Sequence, residues 1–292
     1  MKPFENQENT LWGLALAWYG EYTQGGDSNP YLAKLDFLAK FGMKAFSAGV
    51  EEIDKLNEQQ QKTLFAALDE RDMHCILHSS ISHMNLSIAE QDKKIEKQLR
   101  LLEQYIRPCR SSIVTTCAED SHRYDRKMPW EEKIARFSRI MTPVARLCWD
   151  MGAPFAIENH ADYFVSELLE ILRATPRLYM FLDTANALHI GEQPVKACED
   201  AAPYVVGTHF KDHYMVRGAN DPLHYEIRGC ALGDGDAELA RQYSVIMEKS
   251  PFRDKLVMLF ELFTPDDGSL THLQCFEKSV RFVQSLIQSE GR

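Results

Sequence analysis

Eight short apolar segments alternate with amphipathic segments along the 292 residues of the chain. Several apolar segments are rich in β-branched and aromatic residues, and their apolar character is nearly continuous, which favours strands of a parallel sheet covered on both faces. Because regular alternation of strand and helix is typical of α/β folds, this pattern constrains the architecture more than any other feature. The predicted strands lie near residues 11–17, 44–48, 74–78, 112–116, 154–158, 178–183, 204–210 and 256–262.

The amphipathic segments between the strands have apolar residues at helical spacing. Eight strand–helix units predict a single (β/α)₈ TIM barrel with parallel strands and one domain over residues 1–292, because closure leaves no exposed sheet edge. An open doubly wound sheet is the alternative, although no glycine-rich nucleotide-binding motif follows an early strand. The predicted helices lie at 31–41, 58–71, 90–106, 130–151, 165–174, 195–201, 237–249 and 271–287.

The composition argues against several classes of partner. The formal net charge is −10, from 43 acidic and 33 basic residues, so that binding to nucleic acid or to an anionic membrane is disfavoured. The seven cysteines form no CxxC pair, which is typical of a reducing compartment. Since the first residues are polar and lack an apolar signal region, we expect a cytoplasmic protein.

Charged or imidazole side chains end four consecutive predicted strands. A charged group at the end of an apolar strand is costly unless something pairs with it, and a divalent cation can pair with several carboxylates at once. Carboxylate oxygens together with one imidazole suit Mn²⁺, Mg²⁺ or Co²⁺ and permit Zn²⁺ or Fe²⁺. Taken singly, each of these residues would more often be a helix cap, a surface charge or a core histidine. The predicted metal ligands are Glu158, Asp183, His209 and Glu261.

The segments around these residues resemble a known family. AIENH, FLDTAN, GTHFKD, ALGDGD and LFELF are similar to motifs of the sugar phosphate isomerase/epimerase superfamily, whose members have xylose-isomerase-like TIM barrels. The resemblance implies one divalent ion, often Mn²⁺, and chemistry on keto sugars or related polyols. It assigns the four strand-end residues as metal ligands. It also matches Glu158 and Glu261 to the acid/base pair of ketose 3-epimerases.

This chemistry has a clear physical basis. Removal of a proton next to a carbonyl creates an enediolate, whose charge a metal ion can stabilise, and two carboxylates on opposite faces can remove and return the proton. The same enediolate can instead expel a β-leaving group. A metal-dependent lyase or dehydratase acting on a keto sugar, an inosose or a 3-keto-glycoside is therefore the alternative to an isomerase or epimerase.

Further side chains near strand ends are candidates for substrate contacts. Lys211 is a catalytic candidate that either faces inward, where it would stabilise an oxyanion or bind a carboxylate, or pairs with Asp212 on the surface. Asn186 stands where many relatives carry histidine, and an amide can still bind a hydroxyl. For each of the others, a structural or surface role is the alternative. The predicted substrate-binding residues are Trp18, His78, His160, Asn186, Arg217 and Arg228.

Two other functions share this barrel. A DNA-repair endonuclease of the trinuclear zinc type needs more histidines, and here strand four ends in TTC. A non-catalytic scaffold has no physical need for four buried ionisable groups. We therefore expect a small carbohydrate as substrate, and either a homo-oligomer or a complex with a small partner subunit.

Overall fold

Parallel strands close into a barrel in the computed structural model, which describes residues 2–5, 9–15, 29–218, 221 and 223–290. The (β/α)₈ prediction is confirmed and the open doubly wound sheet is wrong, because the first and last barrel strands pair with each other. The strands within the described residues are β1 Thr10–Ala15, β2 Ala45–Gly49, β3 His74–His78, β4 Val114–Thr116, β5 Phe155–Glu158, β6 Leu178–Asp183, β7 Val205–Phe210, β8 His213–Arg217, β9 Tyr225–Gly229 and β10 Leu256–Phe260. The order around the barrel is β1-β10-β7-β6-β5-β4-β3-β2.

The helices lie between the barrel strands, as the amphipathic segments predict. Two short helices were not predicted, because four or five residues are too few to display a helical period. The helices within the described residues are α1 Leu32–Phe41, α2 Val50–Asp54, α3 Glu58–Arg71, α4 Ile88–Tyr105, α5 Trp130–Asp150, α6 Val165–Ala174, α7 Asn186–His189, α8 Pro194–Ala201, α9 Leu239–Lys249 and α10 His272–Glu290.

Two apolar clusters hold the barrel together. The larger one joins outward-facing strand residues, such as Phe155 and Phe260, to the buried faces of the helices. The smaller one consists of the alternate strand residues, which face the barrel interior because successive side chains of a strand point to opposite faces. Its buried members are Ala45, Ile76, Ile113, Ala156, Phe181, Val206, Val257 and Leu259.

An antiparallel hairpin interrupts the βα pattern after β7. Strands β8 and β9 pair from His213 with Gly229 to Arg217 with Tyr225, between the predicted strand at 204–210 and the predicted helix at 237–249. The hairpin packs closely on the segment that follows β10, since a Cβ added to Gly229 would lie 2.3 Å from Cβ of Phe263. The hairpin therefore stands beside the carboxyl ends of the strands.

The remaining sequence predictions concern the cysteines, the membrane, Trp18, the single domain and the location of the protein. All seven cysteines are free thiols. None of the helices described here is long and apolar enough to cross a membrane. Trp18 lies outside the described residues. The single domain over residues 1–292 and the cytoplasmic location stay predictions.

Candidate metal centre

The positions of the three carboxylates follow from strand geometry. Each lies two residues beyond a member of the barrel's interior cluster, and residues two apart on a strand face the same side. In register, Asp183 of β6 is the partner of His209 of β7. Because the carboxyl ends of parallel strands meet at one mouth of the barrel, the four side chains converge there. The interior-cluster residue and the carboxylate two residues beyond it are Ala156 and Glu158 in β5, Phe181 and Asp183 in β6, and Leu259 and Glu261 at the end of β10.

The four predicted ligands form one compact group. Ligand atoms of Glu158, Asp183, His209 and Glu261 all lie within 4.8 Å of one another. Ligands on opposite sides of one divalent ion lie about 4–5 Å apart, since metal–oxygen distances are about 2.0–2.6 Å. The spacing and the mixed oxygen and nitrogen donors therefore fit one divalent cation.

The charge of the group also fits a cation. Nδ1 of His209 lies 2.9 Å from Oε1 of Glu158 and 3.3 Å from Oε2 of Glu261. Burial alone would lower the pKa of His209, but the charges of Glu158 and Glu261 more than offset it and raise this pKa to about 9. The imidazole thus lies in a strong excess of negative charge, which a divalent cation would balance. The ring of Phe181 packs edge-on against His209 at 4.8 Å and restricts its orientation.

Lys211 points into the same group. Its Nζ donates to Oδ2 of Asp183 at 2.9 Å, to Oδ1 of Asn186 at 3.0 Å and to Oε2 of Glu261 at 3.0 Å. All three donors of the ammonium are therefore used by protein acceptors. Of the two roles left open by the sequence, the structure shows the inward orientation, and Asp212 instead accepts backbone amides. Lys211 fixes two carboxylates in place.

Asp183 is held by the chain around it. Its Oδ1 accepts the backbone N–H groups of Ala185 and Asn186, both at 2.8 Å, at the start of α7. Asn159 donates to the carbonyl of Asp183 and accepts its N–H, so that one amide joins the ends of β5 and β6. The role of Asn159 has no distinctive signal in the sequence, because an asparagine after a strand is usually a turn residue.

Two cavities flank the group. The first cavity, called the first lobe, has a volume of about 520 Å³. It is bounded by Glu158, His209 and Glu261 together with side chains from β2, β3 and α1. The second cavity, called the second lobe, has a volume of about 500 Å³ and lies beside the hairpin. Further residues of the first lobe are Tyr31, Lys34, Ser47, Glu52 and His78. Residues of the second lobe are Asn186, His189, Lys211, His213, Ile227 and Phe263.

The predicted substrate-binding residues are divided between these places. His78 lines the first lobe and His160 lines both lobes. Asn186 and Arg228 line the second lobe, although the amide of Asn186 already serves Lys211 and the carbonyl of Asn159. Arg217 is exposed on β8 and is not among the residues that bound either lobe. The roles of these residues stay predictions.

Several residues that line the lobes have no distinctive signal in the sequence. Nε2 of His189 lies 3.0 Å from Nδ1 of His213, and both rings line the second lobe. Lys34 lies on α1, where a lysine between apolar positions is usually a solvated side chain, but here it lines the first lobe. Only the packing of helices and loops on the barrel brings these groups to the metal centre.

Comparisons with known proteins agree with the barrel fold. The sequence model of the family described as xylose isomerase-like TIM barrel matches residues 35–284. No curated protein matches the chain in sequence.

Several solved structures share the fold at low sequence identity. D-psicose 3-epimerase in the presence of D-fructose has 12% identity and a TM-score of 0.64, with 93% of this chain and 96% of that chain covered. The probable 3-DHS dehydratase AsbF from Bacillus anthracis has 13% identity and a TM-score of 0.64, with 94% and 98% covered. The IOLI protein with a bound zinc atom has 14% identity and a TM-score of 0.68, with 95% and 98% covered.

Proposed function

This chain belongs to the xylose isomerase-like TIM barrel family, and from that premise we propose that it is a metal-dependent sugar isomerase or epimerase. The substrate would be a keto sugar or polyol, and the reaction would remove a proton next to its carbonyl. The observation that carries the proposal is the meeting of Glu158, Asp183, His209 and Glu261 within one group that borders a cavity.

Two carboxylates of this group would be accessible to a substrate in the first lobe. Glu158 and Glu261 both line the first lobe and both contact His209, which lies between them. One would take the proton from the carbon next to the carbonyl, and the other would return a proton to the opposite face of the enediolate, which inverts that carbon. Lys211 keeps the carboxylate of Glu261 in place through a 3.0 Å hydrogen bond.

Residues Glu158, Asp183, His209 and Glu261 would hold the metal ion. When bound, a divalent cation supplies Lewis-acid stabilisation of the negative charge that develops on the substrate oxygens. The mixture of carboxylate and imidazole donors supports Mn²⁺ as the ion, with Mg²⁺, Co²⁺, Zn²⁺ and Fe²⁺ as alternatives.

A lyase is the second candidate function. The probable 3-DHS dehydratase AsbF has the same fold over 94% of this chain, and the second lobe leaves room beside the metal centre for a departing group. The first step would be unchanged, because proton removal next to the carbonyl precedes loss of the β-substituent.

Exchange of substrate hydrogen with solvent tests the shared first step. Purified protein with Mn²⁺ is incubated with a panel of ketoses and 3-keto sugars in D₂O, and deuterium at carbon is measured by NMR. We expect uptake at the carbon next to the carbonyl, and release of water or an alcohol would identify the lyase. Glu158→Gln and Glu261→Gln should each slow exchange or turnover by about 10²–10⁴-fold, the range for removal of a general acid or base.

Glu131→Gln is the matched control, because Glu131 is exposed in the first turn of α5. It should retain the wild-type rate. Wild-type turnover by either active-site variant would show that the two-carboxylate mechanism is wrong.

A further inference from the structure

The cavity beside the hairpin points to a substrate with two parts. We propose that the substrate is a keto sugar joined to a second, neutral ring, with the sugar in the first lobe and the other ring in the second lobe. This inference rests on the proposed function and makes its substrate class narrower, since a free monosaccharide would fill only one lobe.

The size of the lobes is the first reason. Binding pockets for small molecules have volumes of about 300–1,000 Å³. The first lobe, at about 520 Å³, and the second lobe, at about 500 Å³, each fall within this range. A single keto sugar is smaller than the drug-sized ligands that such pockets enclose. One lobe is therefore sufficient for the reacting sugar, and the other is available to whatever the sugar carries.

The two lobes adjoin each other beside the candidate metal centre. His160 lines both of them and is exposed between them. Glu261 lines the first lobe and Lys211 lines the second, and these two side chains are hydrogen bonded at 3.0 Å. A molecule that spans the two lobes would thus pass close to the reacting carboxylates, with the bond between its two parts near His160.

The charges of the second lobe disfavour a phosphate or carboxylate group there. The ammonium of Lys211 is paired with Asp183 and Glu261, and the guanidinium of Arg228 is paired with Glu226. Burial lowers the pKa of His213 to about 4 and also lowers the pKa of His189, so that both rings are neutral at neutral pH. Asp266 adds a negative charge to the wall. A neutral group is therefore favoured.

The remaining wall offers surfaces on which a ring can pack. Ile227, Leu262 and Phe263 line the second lobe together with the rings of His189 and His213. Aromatic rings pack well on such side chains, and the apolar face of a sugar ring does the same, while the histidine nitrogens can bind hydroxyl groups. The shared chemistry of the second part is a neutral ring, either aromatic or a sugar.

Binding of matched glycosides tests the proposal. Isothermal titration calorimetry of the full chain with Mn²⁺ would compare the methyl, phenyl and glucosyl β-glycosides of 3-ketoglucose, with D-fructose as the free ketose and glucose 6-phosphate as the charged sugar. We expect the phenyl or the glucosyl compound to bind at least about tenfold more tightly than the methyl glycoside, because the added ring is buried. Which of the two gains affinity tells an aromatic ring from a sugar.

Ile227→Ala should remove most of this gain and leave the affinity for the methyl glycoside unchanged, which also reports correct folding. Met215→Ala is the matched control, because Met215 pairs with Ile227 across the hairpin, is 43% exposed and is not among the residues that line the lobe. It should keep the wild-type gain.

Two failures are distinguishable. If D-fructose or another ketose exchanges hydrogen with solvent but neither added ring improves binding, or glucose 6-phosphate binds most tightly, the two-ring substrate is wrong and the proposed function stands. If no sugar binds and no exchange occurs, the proposed function is wrong and the inference fails with it.

Discussion

At the scale of single residues, Lys211 shows how the centre is held together. The ammonium lies 2.9 Å from Asp183 and 3.0 Å from Glu261, and its side chain is only 5% exposed. In so buried a place, a charge without a partner is costly for folding. Lys211 therefore positions the carboxylates, and its effect on the reaction would act through Glu261.

Replacement of Lys211 should reveal this dependence. Lys211→Met would leave the carboxylates of Asp183 and Glu261 buried without their ammonium, and we expect a loss of about 3–5 kcal/mol in the free energy of unfolding without added metal. Urea denaturation followed by circular dichroism measures this loss. Lys97→Met, which breaks an exposed ion pair with Glu51, should cost less than about 1 kcal/mol. Equal stability of the two variants would contradict the positioning role.

At the scale of elements, the segment after β7 depends on a buried aspartate. Asp212 accepts the backbone N–H groups of Gly233 at 2.9 Å, Gly235 at 3.0 Å and Ala237 at 3.3 Å. A Cβ on Gly235 would lie 2.2 Å from Oδ1 of Asp212, so that only glycine permits this approach. The ALGDGD segment thus folds around a carboxylate and joins the hairpin to α9.

Loss of that carboxylate should loosen the segment. Asp212→Ala leaves three amides without an acceptor, and we expect destabilisation of about 3 kcal/mol, because a hydrogen bond to a charged group contributes about 1.5–3 kcal/mol. The thermal midpoint should fall by several degrees and the hairpin should be cleaved sooner in limited proteolysis. Asp267→Asn, where an exposed carboxylate accepts hydrogen bonds from the neighbouring Ser269, is the control and should behave as wild type. An unchanged midpoint for Asp212→Ala would refute this role.

At the scale of the whole molecule, closure of the barrel concentrates negative charge at one mouth. The carboxylates of Glu158, Asp183 and Glu261 lie close together there, and the ammonium of Lys211 balances only part of their charge. His209 lies between two of them. Folding must bring these like charges together, which costs free energy in the metal-free protein. A cation that binds only the folded chain would offset that cost.

Metal addition should therefore stabilise the protein. At Mn²⁺ concentrations about 100 times the Kd, mass action contributes about 2.7 kcal/mol, which corresponds to a rise of roughly 4–5 °C in Tm for a chain of this size. Differential scanning fluorimetry with and without EDTA measures the rise. Asp183→Asn should abolish it, while Asp200→Asn, which changes an exposed residue of α8 paired with Lys196, should preserve it. An identical Tm with Mn²⁺ and with EDTA would leave the metal centre without support.

The sequence alone determined the barrel and the four residues that meet at its mouth. Strand type and strand ends follow from local apolar patterns, and the two-residue period of a strand fixes which side chain faces inward, so that Glu158, Asp183 and Glu261 could be placed without tertiary information. His209 was predicted from its place near the end of the next apolar segment, and only the pairing of β6 with β7 sets it beside Asp183.

The tertiary structure decided the surroundings of those four residues. The orientation of Lys211, the pairing of His189 with His213, the hairpin and the two lobes all depend on contacts between segments far apart in the chain. Loops after the strands have no periodic pattern, because their conformation is set by what they pack against. For that physical reason the sequence predicted where the candidate metal ligands lie, and only the fold showed the cavities beside them.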